Sequence, residues 1–315
     1  MADLSIYLFW SGMATAAIAA VLYVVYVASA AVALRAVRAQ TTAGTVTLST
    51  ATGRPNPGIG RLATSFTGIT VLFLAGQVAT RWSAVGHAPF ANLYEFTAAF
   101  GFAIAAAYLA FEAYTRNRRF GLLAMPIVLG MLVIASLFPS DIVPLIPALQ
   151  NGPLLTIHVS VMMLSYAVLT VSFCGAAIYL LQGGEGNRRF AALPSAEAAA
   201  DLAHRAVMVG FPLLGLGIAL GAWWANSAWG RYWGWDPKET AALVTWLSIV
   251  AYFHARAGNG SVAGAPGIRN LVPERIRRGW RPDPMWWLVA MWALVMFTYF
   301  GVNLWVSGLH SYAGV

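Results

Sequence analysis

The stretch SIYLFWSGMATAAIAAVLYVVYVASAAVAL, residues 5–34, contains no charged residue. An α-helix needs ~20 apolar residues to cross the hydrocarbon core of a bilayer, and this stretch exceeds that length. It has no basic segment before it and is too long for the apolar part of a cleavable signal peptide. The stretch therefore predicts a membrane-spanning helix.

The composition extends this prediction to the whole chain. Of its 315 residues, 59% are hydrophobic and 10% are charged, and the mean hydropathy is +0.68. A soluble surface requires roughly a quarter of the residues to be charged, so the composition excludes a soluble fold. Seven further segments are long and apolar enough to span a membrane: 62–82, 91–114, 120–139, 153–181, 205–226, 239–255 (the shortest) and 285–308. The predicted fold is an all-α, polytopic integral membrane protein with about eight transmembrane helices, a single membrane domain over 1–315.

The basic residues predict the orientation of these spans. Sixteen of the nineteen lie in alternate loops, and only Arg81, Arg231 and Lys238 lie in the others. Because basic loops stay in the cytoplasm, this distribution places both termini on the outer face. It also explains the net charge of +8 without any binding of nucleic acid.

The segments between the spans predict no second domain. The inner loops 36–60 and 257–284 are rich in Gly, Pro, Thr, Ser and Arg, which is typical of linkers, the second with room for a short surface helix. Residues 195–206 predict a short amphipathic helix on the inner surface. The only cysteine, Cys174, excludes an internal disulfide and a cysteine-cluster metal site, and we interpret it as a small core residue.

The outer segment WWANSAWGRYWGWDPK, residues 223–238, holds five of the thirteen tryptophans. An interfacial aromatic belt is the simpler interpretation, but a belt spreads its rings over many helix ends. Concentrated rings with a few polar groups favour a flat aromatic platform for a planar, amphiphilic ligand. The candidate binding residues are Trp223, Trp224, Asn226, Trp229, Gly230, Trp233, Trp235, Asp236, Pro237, Lys238 and Glu239.

Two histidines flank this segment at the predicted outer ends of two spans. His158 lies near the start of the fifth span, and His310 follows the eighth. Neutral imidazole is a good axial ligand for haem iron, so this pair predicts a site for a planar metal macrocycle. His254 is a third candidate, because ionisable residues inside a membrane are costly and often functional. A lone interfacial histidine is more often structural, and that is our interpretation of His204.

A second outer segment, 81–95, carries His87, Asn92 and Glu95 at the mouth of the third span. A carboxylate just inside a span needs a partner such as a backbone amide or a basic group. Glu95 could therefore help to shape the outer site or act only at a helix end, and the sequence leaves both possibilities open.

Three segments resemble a known family. WWANSAWGRYWGWDPKETAALVTWL (223–247) is similar to the WWD signature of the haem-handling proteins of cytochrome c biogenesis. GHAPFANLYEF (86–96) and GVNLWVSGLHSY (301–312) resemble the CcsA (ResC) family of the System II pathway, which occurs in bacteria and chloroplasts. The resemblance covers residues 62–315, and its signature is long and specific, although haem proteins of System I share the WWD segment.

The resemblance implies a function and a set of ligands. Members bind haem b transiently and present it at the outer face for covalent attachment to the Cys-x-x-Cys-His of apocytochrome c, after carriage from the cytoplasmic side. His158 and His310 match the outer axial ligands, and His254 matches a ligand of an inner site. From the residues themselves we expect Lys238, Asn226 or backbone amides to meet the haem propionates, and Asp236 to cap the helix after Pro237.

The resemblance also implies partners and a location. The second inner ligand comes from a CcsB (ResB) type membrane protein, so we expect such a separate partner, together with thiol-reducing membrane proteins of the pathway. No residue is an obvious acid–base catalyst, so the chain is expected to be the haem-handling subunit of a cytochrome c synthase (haem lyase) complex. The expected location is a bacterial plasma membrane rather than a thylakoid.

Two other classes of function remain as alternatives. A membrane electron-transfer subunit with permanently bound b-type haem would use the same ligation, but it usually places histidine pairs deep on facing helices. A small-molecule transporter should carry polar residues near the bilayer midplane, whereas these spans are largely Ala, Val, Leu and Phe at their middles.

Overall fold

Long apolar segments bounded by capping residues form the helices of this chain. A computed structural model describes residues 1–42, 55–142, 150, 152–258, 283–306 and 308–310. Within these ranges every regular element is helical, which confirms the predicted all-α class. The helices are α1 (Ala2–Thr42), α2 (Pro57–Val85), α3 (Leu93–Thr115), α4 (Gly121–Ser136), α5 (Gly152–Gln182), α6 (Ala196–Trp229), α7 (Pro237–Gly258) and α8 (Met285–Leu304).

Seven of these helices, all except α7, are long and apolar enough to cross a membrane. The chain is therefore a multi-span membrane protein. The remaining helix, α7, has 22 residues and occupies the segment that the sequence marks as the shortest span. Its first turn carries charged residues, including Glu239, which lowers its apolar character.

Several boundaries differ from the sequence prediction. The predicted surface helix 195–206 is the first part of α6. Ser195 caps the start of α6 by accepting from the Ala198 amide, and no proline before Pro212 interrupts the helix. The aromatic segment 223–238 is a loop only from Gly230 to Asp236, since α6 continues to Trp229 and α7 begins at Pro237. The predicted linker 36–60 is shorter, because α1 continues to Thr42 and α2 begins at Pro57, and its residues 43–54 lie outside the described ones. Residues 259–282 of the predicted linker 257–284 also lie outside them.

Close packing of α5 against α6 sets the position of the outer residues. Ser172 and Ser165 on α5 donate to α6 carbonyl groups at 2.8 and 3.0 Å. A Cβ on Gly175 would lie 2.7 Å from the backbone of Ala203, so this contact requires a glycine. Small residues let membrane helices approach closely. The α5–α6 pair thereby brings the start of α5 beside the end of α6. Cys174, also on α5, is buried, as predicted for a core residue.

Helix α8 contains one irregular turn. Its α-helical part, Met285–Met296, continues through a π-helical turn, Phe297–Gly301, into Val302–Leu304. Such turns are frequent at functional sites because they shift the direction of the side chains that follow. Tyr299 lies in this turn, and its hydroxyl group lies 3.0 Å from that of Thr97 on α3.

Candidate functional site

A cavity opens at one end of the helix bundle, where α3, α5 and α7 begin and α6 and α8 end. It encloses about 1040 Å³ of empty space, counting its partly open mouth. Most of its lining is apolar, and it includes Phe96, Met163 and Tyr166. Both histidines predicted as axial ligands, His158 and His310, lie on its wall. We call this space the outer cavity, after the membrane face that the charge distribution predicts for it.

His158 is held by the backbone of α6. Its Nδ1 lies 2.9 Å from the carbonyl oxygen of Gly217. Because a carbonyl oxygen can only accept, Nδ1 carries the proton and Nε2 carries the lone pair that a metal ion binds. A Cβ on Gly221 would lie 2.6 Å from the His158 ring, so the missing side chain of this glycine makes room for the imidazole.

His310 is held by a carboxylate. Its Nδ1 lies 2.7 Å from Oδ2 of Asp236, which is 4% exposed. Burial lowers the pKa of His310 below its ordinary value, although the hydrogen bond to Asp236 opposes this shift. Burial raises the pKa of Asp236, but the hydrogen bond and charge interaction with His310, together with the hydrogen bonds from the Lys238 and Leu309 amides, outweigh it, and the net shift is downward. The pair is therefore a neutral imidazole that donates to a carboxylate.

The tryptophans form a folded wall instead of the flat platform that the sequence predicts. The Trp224 and Trp229 rings meet at 73°, and those of Trp233 and Trp235 meet at 88°. Trp224 and Trp233 line the outer cavity, and Trp229 packs edge-on against His310 at 4.8 Å. Trp223 and Trp235 are 59% and 71% exposed, and neither lines the cavity.

Glu239 holds the loop between α6 and α7. Its Oε2 accepts from the amides of Gly234 and Asp236 at 2.9 and 3.1 Å. Trp235, between them, has a φ of 56°, a left-handed conformation that costs a non-glycine residue ~1–3 kcal/mol. Gly230 ends α6 with a φ of 73°, which a glycine adopts without strain. The loop shape thus depends on one carboxylate and one glycine.

Lys238 brings a positive charge to the cavity wall. Its Nζ donates to Oδ1 of Asn303 at 2.9 Å, and both residues line the outer cavity. The carboxylates of Asp236 and Glu239, its neighbours at the start of α7, each accept from backbone amides. The ammonium group is therefore placed to meet an anionic group of a ligand. Asn226, the other candidate for that role, is absent from the cavity lining, and its backbone oxygen accepts from Gly230.

The other predicted residues lie outside the outer cavity. His254 is exposed, and its Nδ1 lies 2.8 Å from the Val250 oxygen in its own helix. His204 pairs with the hydroxyl group of Tyr252 at 3.2 Å. His87 lies 2.9 Å from the neighbouring Ala88 oxygen. The structure thus brings together the outer pair of histidines and leaves the other three apart from it.

Glu95 has both kinds of partner that the sequence requires. Its Oε1 lies 2.8 Å from Nε of Arg81, and its Oε2 accepts from the Ala91 amide at 2.8 Å. Asn92 caps the start of α3 by accepting from the Glu95 amide. These contacts hold the first turn of α3, whose Phe96 lines the cavity, so Glu95 supports the cavity wall from behind.

Several site residues escaped the sequence analysis. Gly217 and Gly221 position His158, and Asn303 positions Lys238. Glycines on an apolar helix carry no chemical signal of such a role. Asn303 had a signal, because it is a polar residue at the end of the last span, within the segment GVNLW.

The residues of the outer cavity fit a haem group. Two imidazoles share one apolar cavity, and each is held through Nδ1 in the tautomer that places the lone pair on Nε2. The buried indole N–H of Trp224, on the same wall, has no hydrogen-bond partner among the described residues. A buried donor without a partner is costly, so its place in this wall is consistent with a ligand that supplies an acceptor.

Comparisons with known proteins identify the family of this chain. Residues 90–310 match the family profile described as Cytochrome C assembly protein. The chain is 32% identical to the cytochrome c biogenesis protein CcsA of Gloeobacter violaceus, over 81% of this chain and 87% of that protein. It is 33% identical to the CcsA protein of Gloeothece citriformis, over 81% and 88%, and 32% identical to that of Pyropia yezoensis, over 81% and 89%. The chain therefore belongs to the cytochrome c assembly protein family, within which its relatives are CcsA proteins of cytochrome c biogenesis.

Proposed function

We propose that this chain binds haem b in the outer cavity, with His158 and His310 as axial ligands, and presents it for covalent attachment to apocytochrome c. The observation that carries the proposal is the convergence of these two histidines on one apolar cavity. They lie 152 positions apart in the chain, so only the fold brings them together. Ligation on both faces leaves the iron no open position for oxygen while the haem waits.

The polar groups of the wall support a defined orientation of the haem. Lys238, held by Asn303, offers an ammonium group to a propionate, and charge-assisted hydrogen bonds of this kind are strong. The Trp224 indole N–H is a second donor on the same wall. The apolar remainder of the lining suits the porphyrin ring.

The position of the cavity supports presentation rather than permanent storage. Its mouth is partly open at the end of the bundle. An apocytochrome segment could reach it there, and the histidine of its Cys-x-x-Cys-His could replace one axial ligand. Each cysteine thiol then adds across a haem vinyl group: sulfur bonds to one vinyl carbon and the proton goes to the other, so this step consumes no oxidant or reductant. The chain contributes positioning.

Delivery of haem and the supply of reduced thiols require other proteins. We propose that His254, exposed near the end of α7, forms an inner haem site with a histidine of a CcsB (ResB) type membrane partner. Thiol-reducing membrane proteins would keep the apocytochrome cysteines reduced. In this proposal the chain is the haem-handling subunit of a cytochrome c synthase complex in the plasma membrane of a bacterium.

An absorption spectrum tests the proposal. Haemin is added to the detergent-purified chain, and spectra of the oxidised and reduced forms are compared for wild type, His158→Ala and His310→Ala. We expect a low-spin spectrum typical of two histidine ligands in wild type, a weakened one in each variant, and its recovery when free imidazole is added. His87→Ala, a histidine outside the outer cavity, serves as the matched control and should match wild type.

Two outcomes would contradict the proposal. A wild-type chain that binds no haemin, or variants whose spectra equal that of wild type, would remove these histidines as ligands. A bis-histidine haem that cycles between redox states but is never transferred to an apocytochrome c peptide would instead favour the electron-transfer alternative.

A further inference from the structure

Asp236 makes more contacts than a helix cap requires. Its Oδ2 accepts from the Lys238 amide at 3.0 Å, which is the capping contact at the start of α7. The same carboxylate also accepts from the Leu309 amide at 2.6 Å and from His310 Nδ1 at 2.7 Å. A Cβ on Gly308 would lie 2.6 Å from Asp236 Oδ1, so the segment 308–310 passes directly over the carboxylate.

We infer that Asp236 is a positioning residue for His310, and the inference rests on the proposed function. Through one buried carboxylate it fixes the Nδ1–H tautomer of His310 and ties the segment that carries this histidine to the start of α7. A carboxylate behind a ligating imidazole also makes the other ring nitrogen a stronger electron donor.

The two proposed ligands are therefore unequal. His158 donates to the neutral carbonyl group of Gly217, whereas His310 donates to a charged carboxylate. The stronger donor favours ferric iron, so Asp236 should lower the reduction potential of the bound haem. The Gly217 carbonyl cannot have this effect to the same degree, because it carries no formal charge.

The variant Asp236→Asn separates positioning from capping. Asparagine caps a helix about as well as aspartate does, so the start of α7 should persist. The asparagine oxygen that caps α7 takes the place of Oδ2 and still accepts from His310, so the NH2 group takes the place of Oδ1 and faces the Leu309 amide. The variant thus removes the charge behind the His310 imidazole and the tie to the segment that carries it.

The experiment measures haemin affinity and the midpoint potential in detergent. Loss of an outer-shell partner typically weakens metal affinity 10–100-fold, and we expect about this loss for Asp236→Asn. We also expect a more positive midpoint potential. Free imidazole should restore the low-spin spectrum, which shows that the cavity has folded. Asp283→Asn is the matched control, because Asp283 accepts from the Met285 amide at the start of α8 and makes no hydrogen bond to a histidine among the described residues.

A double variant identifies the route of the effect. If Asp236 acts through His310, Asp236→Asn in a His310→Ala background should change the affinity by no more than about twofold. A further large loss in that background would mean that Asp236 acts on the structure independently of His310, which overturns the inference. Unchanged affinity and potential in Asp236→Asn alone would also overturn it, while the proposed function would stand. A wild-type chain without haemin binding refutes the proposed function itself, before any variant is compared.

Discussion

The outer cavity and the Glu112 cluster are both buried polar regions, but their polar atoms find partners in different ways. Glu112 lies on α3 and is 4% exposed. The hydroxyl groups of Tyr23 and Tyr108 donate to its Oε2 at 2.5 Å, and that of Thr64 donates to its Oε1. Nε of Arg118 lies 3.7 Å from the same carboxylate. All of these contacts to the Glu112 carboxylate come from other side chains of the protein.

In the outer cavity, protein contacts hold one side of the polar groups, and their other side lines the cavity. His158 and His310 are fixed through Nδ1, Lys238 is fixed by Asn303, and the Trp224 indole N–H has no partner among the described residues. The two regions lie at opposite ends of α3, about 25 Å apart at 1.5 Å per residue from Glu95 to Glu112. A buried polar group therefore indicates a ligand site only where its remaining capacity for hydrogen bonds or metal ligation is directed into a cavity.

Replacement of Glu112 by alanine should have the largest effect on stability. Three hydroxyl groups lose their charged acceptor, and each unsatisfied buried group costs ~1–3 kcal/mol, so we expect a loss of about 3 kcal/mol or more in the free energy of unfolding. Haemin binding by the folded fraction should not change. Thermal unfolding in detergent, with Glu185→Ala as an exposed-carboxylate control, measures this. Weaker haemin binding at full folding would contradict the separation of the two regions.

Gly221→Ala should affect haemin binding more than stability, which is the reverse of Glu112→Ala. The added Cβ would lie 2.6 Å from the His158 ring, so the imidazole must move, and we expect about 10–100-fold weaker haemin binding. The control is Gly130→Ala, where the added Cβ has no atom within 4 Å and the helix should gain ~0.5–1 kcal/mol. Haemin titration and thermal unfolding of both variants provide the measurement. Equal haemin affinity in the two would mean that the position of His158 does not matter.

Lys238→Met should weaken binding through the haem carboxylates. Hydrogen bonds to charged groups are worth ~1.5–3 kcal/mol, so we expect haemin affinity to fall about tenfold. Haemin dimethyl ester, which has no free carboxylate, should bind wild type and variant equally. Lys238→Arg keeps the charge and should retain part of the affinity. An equal loss with the ester would show that Lys238 acts on the fold instead of on a propionate.

Tyr108→Phe should have the smallest effect. It removes one of three hydroxyl donors to Glu112 and leaves the ring in place, so we expect a loss of about 1 kcal/mol in stability. The haemin spectrum should remain that of wild type. A shifted spectrum would show that the Glu112 cluster communicates with the outer cavity, and the contrast between the two regions would then need revision.

Many of the residues that line the outer cavity were predictable, because each residue type carries its chemistry in the sequence. The tryptophan-rich segment 223–238 indicated an aromatic site, and the two outer histidines indicated a pair of ligands. The second contact of Asp236 was not predictable. Its position before Pro237 indicates a helix cap, and the cap exists, but its second partner follows 74 positions later in the chain. The flat platform was wrong because α6 continues to Trp229 and its helical geometry turns successive rings away from one another.

Composition and residue order were enough to predict the class of the protein, the approximate positions of its long apolar helices and the residue types that line the outer cavity. Apolar length and charge density follow directly from composition, and no packing detail can change them. Which polar groups share one cavity became known from the folded chain. The close α5–α6 contact places His158 beside Gly217 and Gly221. The hydrogen bond between His310 and Asp236 holds the segment after α8 over the start of α7. Such contacts depend on distances between segments far apart in the chain, and residue type alone does not encode them.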